Sequence, residues 1–235
     1  MKYSQWTTAS PSRIKRFSHR KRLQIAERFA SNGRILDYGA GDGELLRLLA
    51  SLQGCTAELW GFEPYLLQAA RDNLARLVGE RVRLVESLDG LPMQYFDRVY
   101  CLEVLEHLPE PLQIQAVRNI GQLLTPDGRC VISVPIEVGP ASLAKNVVRL
   151  VARQPHPGTT LRTITRSAFG QPIVRPDTDY IPSHIGFRHR QLESLLASLR
   201  ITVERRVCSP FPWLGIWANS QVYYLCRLPP AGEVN

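Results

Sequence analysis

The sequence predicts an α/β fold with a doubly wound, mostly parallel sheet of seven strands and an insertion after the fifth strand. Short apolar runs of strand length alternate with segments of helical periodicity through the middle of the chain. The first run leads into three glycines within five residues, Gly39, Gly41 and Gly43, and a helix follows. Such alternation puts crossover helices on both faces of a parallel sheet. A length of 235 residues suits one domain of this kind.

The individual elements follow from this alternation in chain order. We predict strands at 35–38, 59–62, 82–85, 97–102, 130–134, 201–207 and 222–227, and helices at 18–31, 44–52, 65–78, 111–124 and 189–199. A turn at 125–128 is expected to close the helix before it, because it contains Pro, Asp and Gly. In the insertion, Lys145, Arg149 and Arg153 recur at helical spacing and predict a cationic helix face, which a Pro- and Thr-rich loop follows.

Charge is segregated along the chain. Residues 1–34 hold nine Lys or Arg against one acid, residues 35–138 hold eight against fifteen, and residues 139–190 hold eight against two. Basic segments that cover a substrate mouth would suit an anionic substrate, such as a phosphate, a lipid pyrophosphate, a carboxylate or a nucleic acid. A basic surface that only keeps the protein soluble is the alternative.

The cysteines and apolar segments indicate a cytoplasmic protein. The five cysteines include no C-x-x-C pair, and most lie in strand-like surroundings, so we expect reduced, buried thiols. Residues 1–32 are polar and basic, unlike a secretory signal. The uncharged stretch 207–226 is interrupted by Pro210 and Pro212, so we reject a transmembrane helix there and leave peripheral lipid contact open.

The glycine turn differs from a dinucleotide site. A G-x-G-x-x-G fingerprint would need its third glycine at position 44, which is Glu44, and Asp37 lies two residues before the first glycine. A carboxylate beside the turn repels a pyrophosphate and suits a cation. S-adenosylmethionine fits, because it has ammonium and sulfonium charges and no phosphate.

With these motifs, the chain resembles the Rossmann-like (class I) S-adenosylmethionine-dependent methyltransferases over 34–135 and again over 184–227. Residues 96–108 resemble the strand-four signature, including that of the ubiquinone-type O-methyltransferases, and 124–135 resemble the following turn and strand. The resemblance implies a Rossmann-like methyltransferase fold, S-adenosylmethionine as donor and S-adenosylhomocysteine as product. It divides the single domain into a basic arm and helix (1–33), a cofactor-binding core (34–138), an insertion or cap (139–183) and a C-terminal helix and strand pair (184–235).

The resemblance also implies a set of cofactor-binding residues. Glu63 ends the second strand and corresponds to the ribose-binding acid, although a surface acid would look the same in sequence. Related enzymes often have an acid near position 87, where this chain has Ser87, so the adenine contact is left to Ser87, Leu88 or Asp89. The full predicted set is Asp37, Gly39, Ala40, Gly41, Glu63, Pro64, Ser87, Leu88, Cys101, Leu102 and Glu103.

Glu103, Glu106 and His107 are spaced i, i+3 and i+4, which predicts one face of a helical turn. By resemblance, ubiquinone O-methyltransferases and small-RNA 3′-terminal 2′-O-methyltransferases use such a trio as metal ligands. In many methyltransferases the same residues only shape the pocket. We expect no metal, and keep the trio as the alternative metal site.

Histidines are the candidate bases for a hydroxyl acceptor, and we predict His184 and His107 as the catalytic residues. His189 either caps the helix that follows or contacts an anionic substrate. Residues 211–217 either wall an apolar substrate pocket or form a packed loop.

We therefore predict an S-adenosylmethionine-dependent methyltransferase acting on a hydroxyl of a small anionic, lipid-linked or sugar-linked acceptor. The alternatives are a metal-dependent RNA 2′-O-methyltransferase and a non-catalytic S-adenosylmethionine-binding protein. Nucleic acid is the less favoured partner, because no aromatic-rich RNA-binding module is visible.

Overall fold

The computed structural model describes residues 21, 23–65, 67–77, 81–139, 143, 160–169, 171, 173, 175, 178–181, 184 and 186–229. The basic arm before residue 21 and the predicted cationic face of Lys145, Arg149 and Arg153 lie outside the described residues.

Strands and helices alternate as predicted, although the fifth strand begins six residues earlier than predicted and the helix predicted at 65–78 is shorter. The strands are Arg34–Tyr38 (β1), Glu58–Phe62 (β2), Val82–Val85 (β3), Phe96–Leu102 (β4), Leu124–Pro135 (β5), Thr202–Ser209 (β6) and Gln221–Arg227 (β7). The α-helices that lie wholly within the described residues are Glu44–Ser51 (α1), Leu67–Asn73 (α2), Glu110–Leu123 (α3), Leu161–Ala168 (α4) and His189–Ser198 (α5). Of the predicted lead-in helix, residues 23–27 are helical.

Helix α4 lies where the sequence predicted only a Pro- and Thr-rich loop. Its Ile164 is 1% exposed, so one apolar side chain anchors an otherwise polar helix. Thr160 supports its start, because the Thr163 amide donates to Oγ1 of Thr160 at 3.1 Å. A local cap and a single buried side chain are weak sequence signals, and the helix was missed for that reason.

The seven described strands form one sheet in the order β3-β2-β1-β4-β5-β7-β6. Strands β1 to β5 pair in parallel, whereas β7 is antiparallel to both β5 and β6. The sheet is therefore mixed, and the prediction of a mostly parallel sheet is wrong. The reason is the connection between β6 and β7, which contains a 3-10 helix, Pro212–Trp217, and no crossover α-helix, so the two strands form a hairpin.

The predicted turn at 125–128 is also corrected. These residues belong to β5, where the register with β4 jumps from Phe96↔Leu124 to Arg98↔Arg129. The extra residues bulge out of the ladder instead of ending it.

The core has one layer on each face of the sheet. Ile35 of β1 packs in the layer that contains Leu46 and Leu49 of α1, whereas its neighbour Leu36 packs in the opposite layer. That second layer includes Ile120 of α3 and residues of α5 such as Leu196 and Leu192. Successive strand residues point to opposite faces, so a continuous apolar run fills both layers.

All five cysteines are free thiols, and four of them are buried. Burial raises the pKa of Cys101, Cys130 and Cys226, which keeps these thiols protonated. Among the described residues, no helix is both long and apolar enough to cross a membrane.

Strand β6 lies at one edge of the sheet. It carries three consecutive charged residues, Glu204, Arg205 and Arg206, and its pairing with β7 shifts register between Val203 and Arg205.

Candidate active site

The glycine turn lies at the carboxyl end of β1. The amides of Gly39 and Ala40 donate to the Phe62 carbonyl at 2.9 and 3.0 Å, which pins the turn to the end of β2. A Cβ on Gly39, whose φ is +83°, would lie 2.5 Å from Cγ2 of Val104. A Cβ on Gly41, at φ +57°, would meet no atom within 4 Å. Gly41 thus faces open space, where a ligand can approach the backbone.

Glu63 connects this turn to the loop after β2. Its buried carboxylate accepts from the Gly41 amide through Oε2 at 2.7 Å and from the Tyr65 amide through Oε1 at 2.8 Å. Each carboxylate oxygen has a second lone pair, so Glu63 can still accept hydroxyl donors such as those of a ribose.

The turn is strongly negative. Asp37 is 4% exposed, and Asp42 and Glu63 are buried beside it. Burial, followed by repulsion from Glu63 and Asp42, raises the pKa of Asp37 to about 7. A cation bound here would relieve this repulsion, whereas a phosphate would add to it. The residues therefore fit the ammonium-bearing ligand that the sequence predicted.

Ser87 and Leu88 follow β3, at the same edge of the sheet as the glycine turn. Ser87 caps the 3-10 helix Leu88–Gly90, since its Oγ accepts from the Asp89 amide at 3.2 Å. The same hydroxyl donates to Oδ2 of Asp89 at 3.0 Å. Because this cap uses the Ser87 hydroxyl, the Leu88 amide and Asp89 are the freer choices for an adenine contact, which stays a prediction.

Strand β4 ends with a change of backbone direction at Glu103. Its φ is +56°, and its amide donates to the Ser133 carbonyl at 3.0 Å. A left-handed residue cannot start a right-handed helix, so Glu103 does not share a helical turn with the residues after it. Of residues 103–107, only Leu105–His107 form a 3-10 helix. The predicted common face of Glu103, Glu106 and His107 is therefore wrong.

Instead, Glu106 and His107 meet His184. These three residues are called the acid–base cluster below. Each has one nitrogen or oxygen atom that could bind a metal, and these three atoms lie within 4.8 Å of one another. The Glu106 side chain is completely buried, and its Oε1 lies 3.6 Å from Nδ1 of His184. The two predicted catalytic histidines are thus neighbours, with ring centroids 4.7 Å apart.

The backbone and an aromatic ring hold His107 in one orientation. Its Nδ1 lies 2.8 Å from the Ile181 carbonyl oxygen, and because a carbonyl can only accept, Nδ1 carries the proton. The Tyr180 ring stacks on the imidazole with centroids 5.1 Å apart. This leaves Nε2 as the nitrogen of His107 that can face a ligand.

Arg175 supports the cluster from the segment before it. Its guanidinium donates to the Glu106 carbonyl oxygen and lies 5.5 Å above the Phe187 ring. Burial lowers the pKa of Arg175, and the Glu106 charge opposes that shift. The sequence did not predict Arg175, Tyr180 and Ile181 as site residues. Only the basic composition of 139–190 pointed toward them, because nothing local marks a loop residue that contacts a site across the fold.

The acid–base cluster offers two imidazole nitrogens and one carboxylate oxygen, a donor set that suits several divalent transition metals. Glu103 is not among the clustered residues. The residues that could hold a metal together are therefore Glu106, His107 and His184, and not the predicted alternative set of Glu103, Glu106 and His107.

Comparisons with known proteins show the family and the fold of the chain. The family described as a methyltransferase domain matches residues 12–169. The ubiquinone biosynthesis O-methyltransferase of Xanthomonas campestris pv. campestris (strain B100) is 37% identical over 128 residues, which are 53% of this chain and 52% of that protein. Its counterpart from Xanthomonas oryzae pv. oryzae (strain PXO99A) is 34% identical over 135 residues, which are 54% and 55% of the two chains. The chain spans about half the length of the curated relatives it matches.

Solved structures share the fold. A Pyrococcus horikoshii OT3 protein aligns with a TM-score of 0.61 at 17% identity, covering 96% of both chains. The 1,6-didemethyltoxoflavin-N1-methyltransferase of Burkholderia thailandensis, solved with S-adenosylhomocysteine, aligns with a TM-score of 0.56 at 18% identity, covering 91% of this chain and 78% of its own. At these identities the likeness shows the fold alone.

Proposed function

Because the chain belongs to the methyltransferase-domain family, we propose that it transfers the methyl group of S-adenosylmethionine to a hydroxyl oxygen of a small acceptor. The observation that supports oxygen as the acceptor atom is the buried carboxylate of Glu106 facing the His184 imidazole. A hydroxyl must lose a proton during transfer, and this pair of groups can accept one. The relatives named for O-methylation in ubiquinone biosynthesis support the same acceptor atom.

We assign the donor site to the carboxyl edge of β1, β2 and β4. Asp37 and the Gly39–Gly41 turn would receive the ammonium end, and Glu63 the ribose hydroxyls. The remaining predicted contacts follow from their positions beside these groups: Ala40, Pro64, Ser87, Leu88, Cys101, Leu102 and Glu103. When bound, S-adenosylmethionine supplies a methyl group already activated by the sulfonium charge.

The protein's own contribution is orientation and proton removal. The acceptor oxygen must lie in line with the methyl carbon and sulfur, so that the new O–C bond forms as the S–C bond breaks. In our proposal, Nε2 of His184 takes the hydroxyl proton, while Glu106 faces Nδ1 and stabilises the imidazolium that forms. This is the base-plus-orienting-carboxylate arrangement found in many enzymes.

His107 has a supporting role in this proposal. Since its Nδ1–H is held by the Ile181 carbonyl, Nε2 can accept a hydrogen bond from the acceptor and position it. The stacked Tyr180 ring helps to keep water from the acid–base cluster.

The test uses S-adenosylmethionine labelled in the methyl group and small-molecule fractions of a cell extract. We expect label in a protein-free, nuclease-resistant fraction, as a methyl ether by mass spectrometry, and loss of that label with His184→Ala. Label on nitrogen or carbon would contradict the proposal. Cofactor binding without any transfer would identify a non-catalytic binding protein.

The acid–base cluster also supports a second candidate, a metal-dependent O-methyltransferase that acts on RNA. A metal held by Glu106, His107 and His184 would lower the pKa of a bound hydroxyl and replace the base. This candidate predicts label in nuclease-sensitive material and loss of transfer with EDTA.

A further inference from the structure

A cavity of about 1210 Å³ opens beside the acid–base cluster, between the start of α3 and the start of α5. Arg175 and Ile181 line it, and both also contact the cluster, through Glu106 and His107 respectively. The cavity and the cluster therefore share a wall. Small-molecule sites are usually about 300–1,000 Å³, so there is room for a sizeable organic ligand.

His189 presents an unusual polar group to this cavity. It is the first residue of α5 and is 1% exposed, and it lines the cavity. Within the described part of the chain, neither of its ring nitrogens has a hydrogen-bond partner. Buried polar groups are nearly always paired, and leaving one unpaired costs about 1–3 kcal/mol. A ligand that bonds to the ring would remove this cost.

The surroundings of His189 favour an anion. Helix α5 has ten residues, and no side chain caps its first turn. The Gln191 amide donates to the Arg188 carbonyl at 2.9 Å, so the amides of His189 and Arg190 are the ones at the helix start that can bind a ligand. Three arginines line the cavity, Arg175, Arg188 and Arg190, against one acid, Glu110. The positive end of the helix dipole adds to this charge.

The cavity lining also includes apolar side chains. Phe187 and Leu192 are almost fully buried, and Leu108 and Ile216 are half-buried against the same core. A ligand that fills the cavity must therefore present both an acidic group and an apolar body.

We propose that the cavity binds the acceptor, an amphiphilic acid whose carboxylate or phosphate docks against His189 and the first turn of α5 while its body lies along the apolar wall. This inference rests on the proposed function, since it names the acceptor class. Arg175 and Ile181 are the lining residues that also contact the acid–base cluster, and His184 is not itself part of the lining, so the hydroxyl end of the acceptor must extend past these two residues to meet it.

The state of the imidazole agrees with this role. Burial lowers the pKa of His189, and Arg190 and Arg206 act in the same direction while Glu193 opposes them. The neutral ring keeps one N–H donor for the acid, and the arginines supply the balancing charge.

The test is a binding experiment with three probes of one chain length: decanoate, decyl phosphate and the uncharged decanamide. Calorimetry is done on the whole protein with S-adenosylhomocysteine present. We expect one of the acids to bind at least tenfold more tightly than the amide, and the tighter acid identifies the head group. His189→Leu keeps the side chain apolar and buried, and should weaken binding of that acid about tenfold, the value of one charge-assisted hydrogen bond.

Arg190→Gln changes an exposed side chain and should not affect folding, so it tests acid binding even if His189→Leu fails to fold. Its matched control is Arg200→Gln, which removes the same charge just beyond the other end of α5 and does not line the cavity. We expect Arg190→Gln to weaken acid binding and Arg200→Gln to leave it unchanged. Equal binding of acids and amide, or acid binding unchanged in His189→Leu or in Arg190→Gln, would overturn the proposal. Methyl transfer is not measured, so failure here is distinct from failure of the proposed function.

Discussion

Nδ1 of His184 lies 3.6 Å from Oε1 of Glu106, and that carboxylate is completely buried. The distance is too long for a strong hydrogen bond and short enough for an ion pair once the ring is protonated. Catalytic contacts often tighten only when substrate binds. The proposed chemistry depends on this contact, because the buried carboxylate faces the imidazolium that forms when His184 takes a proton.

His184→Ala should reduce kcat by roughly a hundredfold or more, the usual contribution of a positioned base. Glu106→Gln keeps the shape of the side chain and removes the charge, so kcat should also fall, by a smaller factor. Steady-state kinetics give both values. Calorimetry with S-adenosylhomocysteine is the control, and an equal loss of cofactor affinity would mean that these residues support the fold instead.

Chelation separates the metal-free mechanism from its rival. We predict that EDTA leaves the transfer rate unchanged, because His184 with Glu106 can remove the proton without a Lewis acid. The rate is measured before and after dialysis against EDTA, and then with added Mg²⁺, Mn²⁺ or Zn²⁺. Loss of transfer with EDTA, and its return with one of these ions, would make the metal-dependent mechanism correct.

Gly41→Val should abolish cofactor binding while the protein stays folded. The new side chain would occupy the open space in front of the turn, where no protein atom lies within 4 Å. Gly54→Val is a matched control, since Gly54 also has a positive φ, of +75°, and open space around it. Both variants should lose similar stability from backbone strain. If S-adenosylhomocysteine binds Gly41→Val as tightly as Gly54→Val, the assignment of the turn fails.

Asp37→Asn should lower the affinity for S-adenosylmethionine and raise the free energy of unfolding at pH 8. The folded-state pKa of Asp37, about 7, is above the ordinary value of 3.8, so the folded protein binds this proton more tightly than the unfolded chain. The protonated Asp37 therefore stabilises the folded protein fully below about pH 4, and this contribution is lost as the pH rises to 7. The variant avoids this loss, and at pH 8 should be more stable than the wild type by roughly 2–4 kcal/mol, with little difference at pH 4.

Urea unfolding at the two pH values measures this difference, with the exposed Asp127→Asn as control, because Asp127 lies outside the proposed cofactor site. S-adenosylmethionine affinity should fall in Asp37→Asn alone. A variant with no gain in stability at pH 8 would show that Asp37 is not under charge stress in the folded protein.

Local sequence patterns predicted the strands because each depends on a short apolar run. The third strand was predicted at 82–85 and is Val82–Val85, and the first was predicted one residue short of Arg34–Tyr38. The direction of β7 was not predictable in the same way. It depends on which neighbour the last hairpin joins, and that neighbour is β5, nearly a hundred residues away along the chain.

In the candidate site, too, features set by neighbouring residues were predictable, and contacts between distant segments were not. The predicted glycine turn between a strand and a helix is confirmed, with positive φ at Gly39 and Gly41, whereas the role of these residues toward the cofactor stays a prediction. Helical spacing predicted Glu103 as a neighbour of Glu106, but Glu103 itself has a left-handed backbone and lies outside that helical turn. His184 lies beside Glu106, and Ile181 bonds to His107, so two segments distant in sequence meet in a way that periodicity cannot predict.

The edge strand β6 has a consequence for how the protein behaves at high concentration. An approaching strand from another molecule would meet Glu204, Arg205 and Arg206 in a row, beside an irregular register. Two of these charges are already bound within the fold, Glu204 to Arg129 at 2.8 Å and Arg206 to Glu193 at 3.2 Å. Such an edge resists the edge-to-edge pairing that starts aggregation of β-sheet proteins. The mixed sheet therefore ends in a strand that discourages growth into a neighbouring molecule.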